Sequence, residues 1–453
     1  MKVTAVLLAA GQGTRMKSDL PKVLHPLCGK PMLWHVLEAL KDATTERPVV
    51  IVGHGSEEVK KYLGGRAECV LQEPQLGTGH AAMQAESSLR GNTDYVIVTY
   101  ADMPLLRGET FKRLLETQRL NSGPLSLLTV IADDPRGFGR IVRKADGTVE
   151  AVVEEYVATP EQQEIRELNV GAYCFQAEWL WDALHRIQKN PKKGEYYLTD
   201  IVEIAVKDDL PVQAVVHGDF IETIGINTRI HLSEAESALR ERINREHMLN
   251  GVSMMDPAST YIEVGVKIGR DTTLLPNTYI HGNTEIGEGN VIGPNTIIRD
   301  SRIGNRSKVL ASVMEGARIE DHVDIGPFAR LRKGAHLKSH VHMGNFGEVK
   351  DSMLAEGVKM GHFSYIGNAT IGANTNIGAG TITANFDGEK KNPTEIGEDV
   401  FIGSDTMLIA PLKLGDGART GAGAVVTKNV PEDTLVVGMP ARAIRKVERK
   451  KKG

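Results

Sequence analysis

From Ile262 onward an aliphatic residue returns every six positions, at Ile262, Ile268, Leu274, Ile280, Ile286, Ile292 and Ile298. The period slips between Ser301 and Leu310 and resumes at Val313, Ile319, Ile325, Leu331, Leu337, Met343 and Val349. It continues at Met360 and Ile366, at Ile371 and Ile377, and at Ile396, Ile402, Leu408 and Leu414. Many of these residues are followed by Gly, and a small residue often stands three places further on. An α-helix turns every ~3.6 residues and cannot keep every sixth side chain on one face. Short strands joined by tight turns can, three to each triangular coil, so residues 251–453 are expected to form a parallel β-helix.

The first half obeys a different rule. Apolar runs VTAVLLAA, RPVVIVG, DYVIVTYAD and LSLLTVIA alternate with helical stretches such as MLWHVLEALKD and GHAAMQAESSL. This is the pattern of βαβ units, so an α/β domain with a Rossmann-like, mostly parallel sheet is expected over residues 1–228. Ligands of such sheets bind at the carboxyl ends of the strands, where AAGQGTR and TYADMP would lie. Residues 229–250 read as a helical linker, with Ser233 and Glu236 as a capping box, Ala235, Leu239, Ile243 and Met248 as its apolar series, and Gly251 beyond its end.

Charge and cysteines narrow the function classes. The net charge of −4 argues against a protein that coats nucleic acid, although the end RAIRKVERKKKG is locally basic. Cys28, Cys69 and Cys174 show no CxxC or Cys/His spacing, so neither a disulfide framework nor a zinc site is expected, and a reducing cytoplasm fits. The apolar run Val3–Ala10 is short for a secretion signal and lacks a cleavage motif. No apolar run approaches the roughly 18 residues that a membrane span requires.

The stretch VLLAAGQGTRMKSDLPK places a glycine turn after a strand, with cations behind it. Met16 stands where a dinucleotide fingerprint wants its third glycine, and no GK[ST] follows, so neither that motif nor a P-loop is present. What remains is a backbone that a base or phosphate can approach at Gly11 to Gly13, with Arg15 and Lys22 to neutralise a polyphosphate; an ordinary strand-to-helix turn with solvated cations is the competing reading.

Further strings follow in order: QEPQLGTGHA at 72–81, YADMP at 100–104, GFGRI at 137–141, VVEE at 152–155, ELNVG at 167–171, GEYYLTD at 194–200 and GINT at 225–228. With Leu8, Gly11, Gly13, Thr14, Arg15, Pro21 and Lys22 they resemble the signature of sugar-1-phosphate nucleotidyltransferases. The hexad with its following glycines resembles the left-handed hexapeptide acyltransferases, and the expected handedness comes from that resemblance. End to end, the chain resembles the bifunctional N-acetylglucosamine-1-phosphate uridylyltransferase/glucosamine-1-phosphate acetyltransferase family.

That resemblance implies a uridine nucleotide held by Leu8, Ala9, Gly11, Gln72, Gln75, Gly77 and Thr78, with Arg15 neutralising the departing pyrophosphate and Lys22 close to the phosphates. Asp102 and Asn227 would bind Mg²⁺, and Tyr100, Gly139, Glu154, Asn169, Glu195, Tyr197 and Thr199 would surround nucleotide and amino sugar. Nucleotidyl transfer needs positioning and charge neutralisation rather than a protein nucleophile, which suits these residue types. Tyr156 and Val157 depart from the family, which often has Lys–Asp there.

In the second half, ARLRKGAHL, GNFGEVKDSML, MGHFSYIG and the insertion ITANFDGEKKNPTEIG break the repeat. Something other than core packing selects such interruptions. By resemblance, His362 is the general base of acetyl transfer from acetyl-CoA, with Glu348 or another acceptor fixing its tautomer. Arg332, Lys350, Tyr365, Asn376 and Lys391 would bind glucosamine 1-phosphate, with Asn385 and Phe386 lining the pocket and Ala379, Ser404 and Ala422 contacting acetyl-CoA. Phe386 replaces a usual Tyr, and Met439 replaces an Arg that reaches the coenzyme phosphate, a charge that Arg442, Arg445 or Lys446 would supply instead.

The resulting expectation is a cytoplasmic homotrimer that acetylates glucosamine 1-phosphate and then couples N-acetylglucosamine 1-phosphate to UTP. The alternatives are a single-activity nucleotidyltransferase on a β-helical scaffold, and a β-helix that serves only as a scaffold or regulatory ligand module.

Overall fold

The apolar runs of the first half become the strands of one sheet. In chain order they are β1 (Val3–Ala9), β2 (Val49–Val52), β3 (Glu68–Leu71), β4 (Tyr95–Tyr100), β5 (Leu125–Ile131), β6 (Glu167–Gln176) and β7 (Val212–His217). Their order across the sheet is β7-β5-β6-β4-β1-β2-β3, with Arg140–Arg143 and Val149–Val153 attached at β6. β1 pairs in parallel with β2 and β4, β2 with β3, and β5 with β7. β6 alone in that path runs antiparallel, to β4 and to β5. Successive side chains of β1 enter different cores, Val3, Ala5 and Leu7 on one face and Val6 and Leu8 on the other. A strand buried on both faces must read as a continuous apolar run, which is why VTAVLLAA does not alternate. The computed structural model describes residues 1–446.

The described residues form two compact units, one over 1–239 and the other from Arg240 onward. The division falls inside one helix, Arg229–Leu249. Its N-terminus is capped by Thr228, whose hydroxyl accepts from the His231 N–H at 3.2 Å. Ser233 and Glu236 therefore lie within the helix and not at its cap, and Glu236 instead accepts from the Cys28 N–H at 2.8 Å. Ala235 and Leu239 are buried and belong to the first unit. Asn244 is buried in the second, donating to the carbonyls of Pro257 at 2.9 Å and Thr260 at 3.0 Å.

The second unit is a left-handed parallel β-helix whose three walls, among the described residues, are sheets of 12, 10 and nine strands. Each wall grows by in-register parallel pairing of one coil on the next, as in Ile262↔Ile280, Ile280↔Ile298 and Ile286↔Ile303. The hexad aliphatics form its core. Each one removed from water contributes roughly 1.5–3 kcal/mol relative to exposure. The small residues behind them are buried and close the corners, as when Thr278 Oγ1 donates to the Leu275 carbonyl at 2.7 Å and Thr284 Oγ1 to that of His281 at 2.6 Å. Gly326, at φ +101, is one corner that no side chain could occupy, since a Cβ there would lie 2.0 Å from the Leu310 oxygen.

The slip in the period has a structural cause. Ile298 pairs with Met314, so one coil closes early and Met314 takes the core position. Val313, expected inside, points outward and is half-buried. Further on, Thr383 occupies a core position, its hydroxyl accepting from the Gly367 N–H at 2.8 Å, a place where the aliphatic pattern is silent. The last described strand, Arg442–Lys446, folds back antiparallel on Thr434–Val437. The remaining residues of the basic end lie outside the described residues. Among the described residues no helix is long and apolar enough to cross a membrane.

Candidate functional sites

A cleft of about 660 Å³ opens at the carboxyl ends of β1 and β4, lined by Leu8, Ala9, Ala10, Gly11, Gln12, Arg15, Lys22, Val23, Gln72, Gln75, Gly77, Thr78, Ala81, Tyr100, Asp102, Glu195 and Tyr197. Gly11 faces open space, since a Cβ added there meets no atom within 4 Å. The opposite rim is held by side-chain amides. Gln75 Nε2 donates to the Ala10 carbonyl at 2.7 Å, and Gln72 Nε2 donates to that of Gly77 at 2.9 Å. Gly77, at φ +97, lets the loop press against Tyr196, whose carbonyl accepts from the Gly79 N–H at 2.8 Å. The separated strings LGTG and GEYY are therefore one wall.

At the cleft's cationic end, Lys22 Nζ is ion-paired with Asp102 Oδ2 and donates to Asn227 Oδ1 at 2.8 Å. Arg15 Nη2 donates to the same Asn227 oxygen at 2.9 Å. The two oxygens expected to hold a metal thus converge on one positive charge, and one carboxylate and one amide suit a hard divalent cation that retains several waters. Among the described residues no group of three or more His, Cys, Asp or Glu forms a denser metal site.

Gly139, Glu154, Asn169 and Thr199 stand outside the cleft's immediate lining but are bonded to one another in pairs. Thr199 Oγ1 donates to Glu154 Oε1 at 2.9 Å, and the Asn169 N–H donates to the Gly139 carbonyl at 2.9 Å. Asn169 Nδ2 also donates to the Tyr173 hydroxyl at 2.7 Å. Burial raises the Glu154 carboxyl above its ordinary range. Tyr197 donates to Glu195 Oε2 at 2.9 Å and lies 5.9 Å, ring to ring, from Tyr156, over which Lys193 Nζ sits at 4.1 Å. Where the resemblance led to an expected Lys–Asp, Tyr156 thus lies near Tyr197 with the Lys193 cation of another loop over its ring.

On the β-helix, Arg332, Lys350 and Tyr365 stand on the 10-stranded wall, with Lys391 brought in by the insertion. The neighbouring Lys391 amine, then desolvation and the Arg332 charge, hold the Lys350 ammonium below the usual lysine range. Glu348 pairs with Arg332 at 2.9 Å and Asp351 lies 3.9 Å from Lys350, and three cations gathered on one wall suit an anion such as a phosphate. Gly367 keeps room for Tyr365 and Asn385, since a Cβ there would lie 2.5 Å from the Tyr365 hydroxyl and 2.8 Å from Asn385 Nδ2. Asn385 donates to Asn368 Oδ1 at 2.7 Å. Phe386 bridges Lys391 across the insertion and is exposed. The insertion is closed by Asp387, which accepts from the N–H groups of Glu389 and Lys390 and is thereby pulled down to about 2.

His362 is exposed at the corner between the strands Lys359–Met360 and Ser364–Gly367, and among the described residues its side chain makes no hydrogen bond. Glu348, the acceptor expected for it, instead accepts from Arg332 Nη1 at 2.9 Å. Asn376 lies across this corner on the 12-stranded wall, beside Lys359. Ala379, Ser404 and Ala422 occupy the same corner on later coils, tied together by Asp405 N–H to the Ala379 carbonyl and Gly423 N–H to that of Ser404 at 2.8 Å. Arg442, Arg445 and Lys446 are exposed on the returning strand, three residues or more beyond the exposed Met439.

Residues 5–168 match the MobA-like NTP transferase domain, and residues 265–300 and 393–428 match the bacterial transferase hexapeptide family of six repeats. The "Bifunctional protein GlmU" of Geobacillus thermodenitrificans is 48% identical over 446 residues, covering 98% of this chain and 97% of that protein. Its namesake from Geobacillus sp. strain WCH70 is 46% identical over the same length, and one from Listeria monocytogenes is 44% identical over 431 residues, 95% of this chain and 94% of the relative. The chain belongs to the bifunctional GlmU family.

As a GlmU-family enzyme it joins a nucleotidyltransferase half to a hexapeptide transferase half, and the two clusters of cations described above fall one in each. Sequence reasoning had not singled out Ala10, Gln12, Val23 and Ala81, although all four lie in or beside the motif strings. Lys193 over Tyr156 carried no string of its own and emerges only from the packing. In this GlmU-family chain Asp200, beside the Glu154–Thr199 pair, is pushed up to about 6 by burial and then by the Glu203 and Glu154 carboxylates. Its folded value thus exceeds the ordinary carboxylate value of about 4, so the stability it contributes is present below pH ~4 and lost as pH rises through about 6. Asp200→Asn is expected to stabilise the first unit by about 1–2 kcal/mol at pH 7.5 and by little at pH 4.5, read by denaturant titration at both values.

Proposed function

We propose that this chain makes UDP-N-acetylglucosamine in two steps at two separate sites. In the β-helix, Arg332, Lys350 and Lys391 grip the phosphate of glucosamine 1-phosphate, while Tyr365, Asn376, Asn385 and Phe386 line the sugar. His362 accepts the proton from the sugar's amine as its nitrogen attacks the thioester carbonyl of acetyl-CoA. The C–S bond breaks, and coenzyme A leaves as the thiol once it takes up that proton. Ala379, Ser404 and Ala422 hold the coenzyme along the His362 corner.

In the α/β half, a phosphate oxygen of N-acetylglucosamine 1-phosphate attacks the α-phosphorus of UTP in line, and pyrophosphate departs. Leu8, Ala9, Gly11, Gln72, Gln75, Gly77 and Thr78 hold the nucleotide, and Tyr100, Gly139, Glu154, Asn169, Glu195, Tyr197 and Thr199 orient the sugar. Arg15 and Lys22 neutralise the developing pyrophosphate charge, which is the main demand of such a reaction. Asp102 and Asn227 would hold Mg²⁺, which when bound supplies further charge neutralisation at the phosphates.

The observation that carries this reading is the presence on one chain of two distinct cation clusters, Arg15 and Lys22 at the cleft and Arg332, Lys350 and Lys391 on the β-helix, the second beside an exposed histidine. A homotrimer is part of the proposal. Phe328 and Phe346, stacked at 5.4 Å on successive coils, and Phe363 on the next are 61%, 59% and 56% exposed beside His362. Such an apolar ladder at the active corner suits contact with a neighbouring copy. The scattered cysteines favour a cytoplasmic location.

Purified protein given glucosamine 1-phosphate, acetyl-CoA, UTP and Mg²⁺ is expected to form UDP-N-acetylglucosamine, and omission of any one of them to prevent it. Product formation without acetyl-CoA from glucosamine 1-phosphate would overturn the two-step order. At the coenzyme end, Arg442→Ala is expected to raise the KM for acetyl-CoA roughly 10-fold, as loss of one phosphate contact of ~1.4 kcal/mol implies. Arg445→Ala and Lys446→Ala test the neighbouring cations, and an unchanged KM in all three would remove this strand from the coenzyme site.

A further inference from the structure

Asp102 and Asn227 reach the same cation from segments far apart in sequence, and a second clamp holds those segments together. Glu222, in the turn Phe220–Thr223, is 4% exposed, and the mechanism gives it no role. Its Oε1 is ion-paired with Arg107 Nε at 2.7 Å. Its Oε2 accepts from the Arg107 N–H at 3.3 Å and the Thr110 hydroxyl at 2.8 Å, and His217 Nε2 lies 3.4 Å away. These bonds hold Glu222 below the usual carboxylate range although burial opposes them. At the other end of the same two segments, the Ile226 N–H donates to the Asp102 carbonyl at 2.9 Å.

Between these two ties everything is packed. Thr223, Ile224 and Ile226 are buried on one segment and Met103, Leu105 and Leu106 on the other. Gly225 passes so close that a Cβ there would lie 3.1 Å from Met103 Sδ. Asp102 and Asn227 thus sit at the open end of a short, rigid zipper whose closed end is Glu222. A buried carboxylate is expensive to desolvate and is offset only by several well-aimed donors. An apolar side chain would close this turn more cheaply, but the directional bonds of Glu222 add a second fixed point to the Ile226–Asp102 tie in setting the offset of one segment against the other.

We propose that Glu222 is a positioning residue for uridylyl transfer, setting the spacing between Asp102 and Asn227 and hence the affinity of that pair for a divalent cation. The inference rests on the assignment of those two oxygens as the metal ligands. Residues that orient a metal ligand without touching the metal commonly alter affinity about 10- to 100-fold when replaced.

The test is a titration of the full-length protein with Mn²⁺, followed by the loss of the free-ion paramagnetic resonance signal, together with the KM for Mg²⁺ in uridylyl transfer. Glu222→Gln keeps the shape and removes the charge; Thr110→Val removes one bond to Oε2 and leaves the charge in place. Wild-type protein is expected to bind Mn²⁺, Asp102→Asn to lose it, Glu222→Gln to weaken it about 10-fold and Thr110→Val about threefold. The KM for Mg²⁺ should rise in parallel, with uridylyl transfer at saturating Mg²⁺ near its wild-type rate as the control for folding of the first unit. Wild-type Mn²⁺ affinity in both Glu222→Gln and Thr110→Val, with Asp102→Asn deficient, overturns the role of Glu222 alone. Undiminished binding in Asp102→Asn overturns the metal assignment and this inference with it.

Discussion

Acetyl transfer by His362→Ala is expected to fall about 10²- to 10⁴-fold, the usual effect of removing a general base, while uridylyl transfer stays at its wild-type rate. The geometry explains both halves of that expectation. His362 projects from a β-helix corner with no side-chain partner among the described residues, so its loss leaves no buried group unsatisfied and disturbs no packing. The proposed phosphate grip of Arg332, Lys350 and Lys391 does not involve it, since Arg332 bonds Glu348 and Lys350 neighbours Lys391. The KM for glucosamine 1-phosphate should therefore change by less than about twofold, with the loss confined to kcat. Release of free thiol from acetyl-CoA measures the step directly. A variant that still releases thiol at the wild-type rate would show that the sugar's amine loses its proton elsewhere.

Arg15→Ala is expected to produce the converse phenotype. Uridylyl transfer should fall about 10²- to 10³-fold, the effect of removing one preorganised group from a developing negative charge, and acetyl transfer should be unchanged. Arg15 shares the Asn227 oxygen with Lys22, so the variant leaves the Lys22–Asp102 ion pair to hold the site's shape. Lys22→Ala is a less clean probe, because it would leave the partly buried Asp102 carboxylate without its partner. Pyrophosphate release from UTP and N-acetylglucosamine 1-phosphate reports the step, and a wild-type rate in Arg15→Ala would remove the guanidinium from the reaction.

The repeat made the β-helix legible because every sixth residue had one place to go, and its core is that list almost unchanged. The errors fell where the coil length changes. A spacing rule cannot tell Val313 from Met314 when a coil closes early, and it passes over Thr383, whose hydroxyl is buried because it bonds the Gly367 N–H. In the helix Arg229–Leu249, Thr228 caps the first turn and the expected Ser233 box lies in the interior, with Glu236 bonding the Cys28 N–H instead.

Motif strings located the cleft because the glycine at 77 and the backbone at 196 must touch, and such contacts leave strict residue choices behind. The pairing of Glu348 with Arg332 instead of His362, the Lys193 contact with Tyr156, and the Glu222 clamp were not legible. Each joins ordinary charged residues whose identity says nothing about their partner until the fold supplies the distance.

The central claim is that one chain carries two independent chemistries, and a complementation measurement tests it most directly. Arg15→Ala and His362→Ala proteins are each incubated with glucosamine 1-phosphate, acetyl-CoA, UTP and Mg²⁺, separately and mixed. Separately, the first is predicted to accumulate N-acetylglucosamine 1-phosphate and the second to leave glucosamine 1-phosphate unconverted. Mixed, they are predicted to restore UDP-N-acetylglucosamine, as the intermediate made by one is consumed by the other. Full product from either variant alone, or none from the mixture, would contradict the account.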